Sequence, residues 1–524
     1  LRNKKVITMK LKSGTSSLNG KSMFRKLFSS VRTLFDSAYT GGGFSNRAMQ
    51  KWIPQLGAPD TEFDKGTQET LTARSRDAYR NEGIARAVVE RLNENVLGSG
   101  LRLQANIDYE FLGIGEEEAG EIERRIERDF HAWAQSKTCD YSRKLNFYQL
   151  QRLVFVSKLI SGDCFVYTPY RKDKHDRFGL KIQVIEGDRV RNPNDTIDTP
   201  NLVRGIKYDE SGRPIAYYVL DVHPYDYINL TKRYKGRFVE AIGRETGRER
   251  MLHICDFERT GRPGQSRGVP ILAPILVQLR QLSRLSEAEL MASVINAYFT
   301  LLLRSETLAE YGSSTEQSAQ EQELRQVTLG PGIVQYLPEG VVPEFADPKR
   351  PNVQFDPFFL AILKQIGAAT GVPVEILSLH FTTSYWAARA AMIQFWKVVL
   401  SYRENMVEQF CNPIYRLWLD EYVAAGHLSV KGYSRPEVRA AYANASWSGP
   451  AKGSIDELKE IKAARERIEV GVSTIQKEAQ EISGMHWRDI HKQRTVEHNM
   501  RKEADLLSVQ KKGVSNALSE RTRV

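Results

Sequence analysis

Residues 384–398 read SYWAARAAMIQFWKV, and residues 261–270 read GRPGQSRGVP. The first stretch closes a short polar loop, Thr382, Thr383 and Ser384, and runs into an apolar helix that opens with small residues and a lone arginine, Arg389. The second is a glycine-rich approach to Pro270, which opens a long helix over 271–303 with Leu272, Ile275, Leu279, Leu282 and Leu285 three and four apart. Arg280, Arg284 and Glu287 fall on its polar side. Two such loop-to-helix junctions predict a second half built on long helices.

Upstream, the pattern is mixed. Helical periodicity over 72–96 puts Ala78, Ile84, Ala87, Val88, Leu92 and Val96 on roughly one side, and a Gly98-Ser99-Gly100 stop follows. An amphipathic helix over 116–135 and a third over 147–161, stopped by Gly162, come next. Alternating strands at 164–170 and 180–185, and a hairpin over 203–222 turning at 209–214, make the first 270 residues an α+β region. Downstream of the long helix lie a polar stretch at 305–326 and short glycine- and proline-broken strands. Then come a helix over 358–370 ended by Gly371 and Pro373, and a long helix over 385–422 that Pro413 should kink. Beyond Pro450 the pattern predicts short charged helices over 455–470, 473–482 and 487–507, the second opened by a capping box of Ser473 and Gln476.

A 524-residue chain that is 41% hydrophobic and 27% charged has enough apolar material for several packed domains. No apolar run approaches the roughly 18 residues of a membrane helix, and no secretory signal is expected. Cys139, Cys164, Cys255 and Cys411 stand far apart without CxxC spacing, which argues for reduced thiols and against zinc or disulfides. His253 and Cys255 could share a metal on a strand, but no second pair completes a site, so neither metal nor cofactor is expected. The net charge of +11 is concentrated: residues 1–58 hold eleven Lys and Arg against Asp36 alone, leaving the other 466 residues with +1. A basic, mostly disordered arm on a nearly neutral body does not suit a protein that clamps phosphates over its whole surface. A non-ring DNA-binding protein using the arm is one alternative.

Gly264-Gln265-Ser266-Arg267-Gly268 matches the G-x-S-x-G elbow of serine hydrolases, which makes a hydrolase using Ser266 a second alternative. That elbow needs a strand directly before it and a helix directly after, and the sequence offers neither. Residues 14–22, GTSSLNGKS, approximate a phosphate-binding loop with one residue too many between the glycines. His380 has no acid or nucleophile near it in sequence. Tyr385, Trp386, Phe395 and Trp396 have helical spacing, for which core packing is the default.

Taken in order, residues 74–102 (RSRDAYRNEGIARAVVERLNENVLGSGLR), Gly162-Asp163, IEGDR at 185–189, RPGQSRGVP, 385–396 and WSGPAKGSIDELKE at 447–460 resemble the portal proteins of lambda-type tailed phages. The resemblance covers about residues 65–505. It departs from the family's habit at Ser384-Tyr385-Trp386-Ala387, where Asn-Tyr-Ser-Ser is usual, and at Glu457, where proline is common.

The resemblance implies a non-enzymatic α+β subunit of a ring, usually of about twelve copies, at one capsid vertex of the virion. Double-stranded DNA would pass through the ring during packaging and ejection. Terminase would dock during packaging and head-completion or tail proteins afterwards, with major capsid and scaffold proteins as further partners and no membrane. It implies a wing over 61–270, a first stem helix over 271–304, a clip over 305–356 that meets terminase, and a second stem helix over 357–376. A channel loop of Leu377, Ser378, Leu379, His380, Phe381, Thr382, Thr383 and Ser384 would follow. After it come a long helix and wing return over 385–448 and a helical crown and tail over 449–524. Arg280, Arg284 and Lys364 would be charges of the lumen or stem.

Overall fold

A computed structural model describes residues 51–54, 56–229, 234–297, 301–305, 341–345, 355–380, 384–453, 457–484 and 487–504. The basic arm's first 50 residues, the 14–22 motif and most of the expected clip lie outside these. Two units are distinguished, 1–63 and 64–524. In the first, a single helical turn, Pro59–Glu62, is closed by the Glu62 carboxylate accepting from the Gly57 N–H at 3.1 Å.

The second unit opens with helices α1 (Lys65–Asn81) and α2 (Gly83–Val96), strand β1 (Arg102–Ala105), and helices α3 (Glu116–Gln135) and α4 (Phe147–Ser161). Sequence dictates α4 at both ends. Asn146 and Gln149 form a reciprocal capping box, and Gly162, at φ +91°, stops it in a conformation that favours glycine. Strands β2 (Asp163–Tyr167), β3 (Gln183–Glu186) and β8 (Met251–Cys255) form an antiparallel sheet in the order β3-β2-β8. A meander of β4 (Leu202–Val203), β5 (Ile206–Tyr208), β6 (Pro214–Leu220) and β7 (Gly236–Glu240) includes the hairpin read from sequence. Its turn is fixed by Asp209, whose carboxylate accepts from the N–H groups of Ser211 and Arg213 at 3.0 and 2.8 Å.

Next come α5 (Leu276–Ala297), the antiparallel pair β9 (Leu301–Ser305) and β10 (Val341–Phe345), then α6 (Phe355–Thr370), α7 (Val374–Ser378), α8 (Tyr385–Met406) and α9 (Asn412–Ala424). The chain closes with α10 (Pro436–Ala443), β11 (Ala445–Ser448), which pairs with β1, and helices α11 (Glu457–Glu469), α12 (Ile475–Ser483) and α13 (Trp487–Glu503). The architecture is mixed helix and sheet with a helical C-terminal part, as expected.

Three local expectations are corrected. The long helix expected over 271–303 ends its described course at Ala297, and Leu301-Leu302-Leu303 belong to β9, whose partner residues lie some forty positions on. Local periodicity cannot see such a partner. The deviation assigned to Pro413 lies just before it, as a π-helical turn over Val407–Cys411. Proline lacks an N–H and crowds the carbonyl four residues back, so the wider turn accommodates it. Finally, α12 is capped by Thr474, whose hydroxyl accepts from the Lys477 N–H, one residue after the expected Ser473.

One apolar core joins helices α1 to α10 with strands β1, β2, β8 and β11. The inner face of α2, with Ala85, Val88, Val89, Leu92 and Val96, is fully buried in it. Aromatic rings fill the space around α3, α4 and α9: Phe147 stacks on Phe410 at 5.5 Å, and Phe130 meets Trp418 edge-on at 5.2 Å. A smaller cluster under the meander includes Phe165, Ile185, Tyr217 and Val239.

Candidate functional site

Ser266 sits in neither of the settings a nucleophile elbow requires. Residues 261–270 are irregular throughout, with no strand before the serine and no helix directly after it. The residue that organises this loop is its neighbour, Arg267. Its guanidinium is buried and donates Nε–H to Asp163 Oδ2 at 2.6 Å and Nη2–H to Oδ1 at 3.0 Å. Its other N–H groups go to the carbonyls of Gly187 at 2.9 Å, Val190 at 3.0 Å and Arg204 at 3.3 Å. All five guanidinium donors are thus used, which is what a buried arginine requires. Asp163 also accepts from the Gly268 N–H at 3.2 Å and from His253 Nε2 at 3.3 Å.

The charge states follow from these contacts. Burial would raise the Asp163 carboxyl, but the Arg267 cation and the His253 bond hold it well below the usual carboxylate range. Burial pushes His253 down, so at neutral pH it is an uncharged ring that donates to Asp163 and stacks on Phe165 at 4.3 Å. The backbones are equally tight. A Cβ on Gly268 would lie 2.1 Å from the Gly162 carbonyl oxygen, and one on Gly162 would lie 2.4 Å from that of Gly268. The cleft beside Arg267 measures about 30 Å³, room for no more than a few waters. This is a latch, and the hydrolase reading is not favoured.

The segments singled out in the sequence meet at this latch and at a second one. Gly162-Asp163, Gly187 of IEGDR and the RPGQSRGVP loop share the Arg267 network. Arg76 adds the upstream segment by pairing with Asp188 and donating to Ser161 Oγ at 3.1 Å. In the second latch, Arg403 on α8 donates to the carbonyls of Asn95 and Val96 at the end of α2 and of Pro450, each at 3.0–3.1 Å. Burial pushes its pKa down to about 10. A cation on helix-terminal carbonyls both satisfies them and complements the helix dipole. Sequence reading missed Arg267, Asp163 and Arg403 as partners because the latches join residues 104 and about 307 positions apart.

The proposed loop residues divide. Leu377 is in the last full turn of α7 and buried in the core, so it is corrected from loop to packing residue. Ser378 ends α7 and donates its hydroxyl to the Val374 carbonyl at 2.8 Å. Leu379, at φ +52°, and His380 are exposed. Phe381, Thr382 and Thr383 lie outside the described residues. Ser384 caps α8, its hydroxyl accepting from the Ala387 N–H at 3.4 Å. Arg280, Arg284 and Lys364 are all exposed, with Arg280 3.8 Å from Glu82. Of the aromatic cluster, Phe395 is core, Trp396 is half-buried under Arg403, and Trp386 is 75% exposed.

Among the described residues no metal-binding group includes a cysteine; the four cysteines are buried and carry thiols that burial pushes up. His253 is committed to Asp163. Glu186, Asp188 and His223 do come together within 4.8 Å, a grouping not foreseen from sequence. Arg76 already pairs with both of these carboxylates, so a cation occupies the place.

The long helices differ from the latches in what they leave uncovered. Val277, Leu290 and Met291 on α5, Phe358 on α6 and Trp386 on α8 are all more than half exposed. Large apolar side chains are also exposed away from these helices, at Ile197, Tyr227 and Ile228, so exposure alone does not set the long helices apart.

The family described as phage portal protein, lambda family, matches residues 45–403. The chain is 26% identical over 497 residues to portal protein B of Escherichia phage lambda, spanning 89% of this chain and 90% of that protein. To the portal protein of Escherichia phage N15 it is 26% identical over 493 residues, with the same shares. Among solved structures, a chain from the virion of a native gene transfer agent particle superposes with a TM-score of 0.46 at 12% identity, covering 82% of this chain and 94% of that one.

Proposed function

The chain belongs to the lambda family of phage portal proteins, and we propose that copies of it close into the ring through which the phage genome enters and leaves the capsid. The family match over residues 45–403 supports this reading most directly, and the exposed Val277, Leu290, Met291 and Trp386 on the long helices are side chains that ring neighbours would cover. Closed rotational symmetry makes that contact heterologous, one face of a subunit against a different face of the next.

In this reading the protein catalyses no reaction. It is a passage and a docking platform, and the ATP-driven motor is a separate terminase. Helix α5 and helix α6 serve as stem elements, residues 305–356 as the clip that meets terminase and later the head-completion and tail proteins, and residues 379–384 as the loop at the narrowest point. Capsid and scaffold proteins hold the ring at its vertex. The near-neutral charge of residues 59–524 suits a passage, since a lumen that bound phosphates strongly would stall the DNA it must release. Deleting 305–356 while leaving the two stem helices tests the docking assignment: terminase binding should disappear, and undiminished binding would contradict it.

A further inference from the structure

We propose that the groove between α3 and α13 is a binding site for the phosphate backbone of duplex DNA. The groove measures about 1060 Å³ and is lined by Arg102 from β1, Arg124, Arg125 and Arg128 from α3, and Arg488 and Lys492 from α13. Two carboxylates, Glu121 and Glu127, line the groove with these six cations, and Glu123 and Asp129 pair with two of the cations from beside it, which leaves a local surplus of two positive charges. Residues 59–524 as a whole are almost neutral, so this is a local concentration of charge.

The cations differ in how far they are already used. Arg488 is tied to the buried Glu123 at 2.6 Å and fixes α13 against α3. Arg128 lies 3.2 Å from Asp129, and Glu127 accepts from the Ala105 N–H at 2.9 Å. Arg102, Arg124, Arg125 and Lys492 are exposed and form no salt bridge with any described residue. These four cations outnumber the two carboxylates of the groove, Glu121 and Glu127, and an anion that enters relieves the remaining repulsion.

The arrangement favours a polymer over a small anion. Arg124 and Arg128 stand one turn apart on α3, and Arg488 and Lys492 one turn apart on α13, a spacing of about 6 Å along each helix. The guanidinium and ammonium groups therefore line a strip and do not converge on a point. A run of phosphates presents charge at regular short intervals along such a strip, and arginine forks match phosphate oxygens. The choice of DNA over an acidic protein segment rests on the portal reading above, since DNA is the polyanion such a protein meets at the highest concentration. Binding would be independent of base sequence, as no groove-reading element is implied.

The test uses the full-length protein and a short duplex of random sequence, with affinity measured by fluorescence anisotropy over a salt series. The double variant Arg124→Ala, Arg125→Ala should bind roughly tenfold to a hundredfold more weakly at about 0.1 M salt, and the slope of log affinity against log salt should become shallower by about 2 in total. Contacts made by the basic arm add independently to that slope and do not mask the change. An unchanged slope would overturn the proposal. So would a variant that binds the duplex normally but loses binding to a polyglutamate peptide, since that outcome assigns the groove to an acidic protein segment. Electron micrographs of the same variant separate this claim from the portal reading: rings that persist while the slope changes support both, and rings that persist with the slope unchanged sink the groove alone.

Discussion

The Arg267 latch and the outer faces of α5, α6 and α8 solve opposite problems. At the latch every guanidinium donor has a partner within the chain, two glycines pass at backbone contact, and there is room for no more than a few waters. On the long helices, Leu290, Met291 and Trp386 stand more than half exposed. The first region is satisfied within the chain, and the second leaves apolar side chains open to solvent. A protein that builds a ring needs both: a body stiff enough to hold the long helices in register, and helices whose apolar faces are finished by neighbours.

The largest effect is expected at the latch. Arg267→Ala leaves Asp163 charged and buried without its cation, which should cost about 3–5 kcal/mol of subunit stability in urea unfolding. A variant that unfolds like the parent would show that the latch holds nothing. Gly268→Ala should follow at about 1–3 kcal/mol through the forced contact with Gly162.

Arg403→Ala removes three charge-assisted bonds that tie α8 to the end of α2 and to Pro450, and should cost about 1.5–3 kcal/mol. Limited proteolysis should also cut the segment after Pro450 faster. Equal cleavage rates in parent and variant would remove Arg403 from the account.

Acid should weaken the latch in two stages. His253 and Asp163 both have folded pKa values below their unfolded ones, so the unfolded chain binds more protons and stability is lost as pH falls. The first loss begins below about 6.5, where unfolded His253 takes up a proton, and the second below about 4, where unfolded Asp163 does. His253→Gln should erase the first stage and leave the second. An identical pH profile would place the titration elsewhere.

The smallest effect on the subunit, and the largest on assembly, is expected from the exposed faces. Leu290→Glu or Trp386→Glu should change subunit stability by no more than about 0.5 kcal/mol while abolishing rings. Rings that form normally would mean that these faces are covered by something other than a neighbouring subunit.

The sequence made the elements with local signals legible. The Gly162 stop bounded α4, Asp209 marked the hairpin turn, and Gly371 with Pro373 ended α6, all because helix and turn ends are written in adjacent residues. The ordered motifs also pointed to the family. What stayed hidden was long-range. Arg267 was read as one letter of a false catalytic motif because its partner Asp163 lies 104 residues earlier. Leu301 to Leu303 were read into a helix because their strand partner lies beyond any local window. Leu377 was assigned to a loop although the core, defined by residues from distant segments, buries it.

As proposed, this chain is one subunit of a closed ring. Native mass spectrometry of the full-length protein tests it most directly. The account predicts a single large assembly whose mass is an integer multiple of 59.7 kDa, with a central hole in negative-stain images. A stable monomer under the same conditions, with Leu290 and Trp386 still exposed, would contradict it.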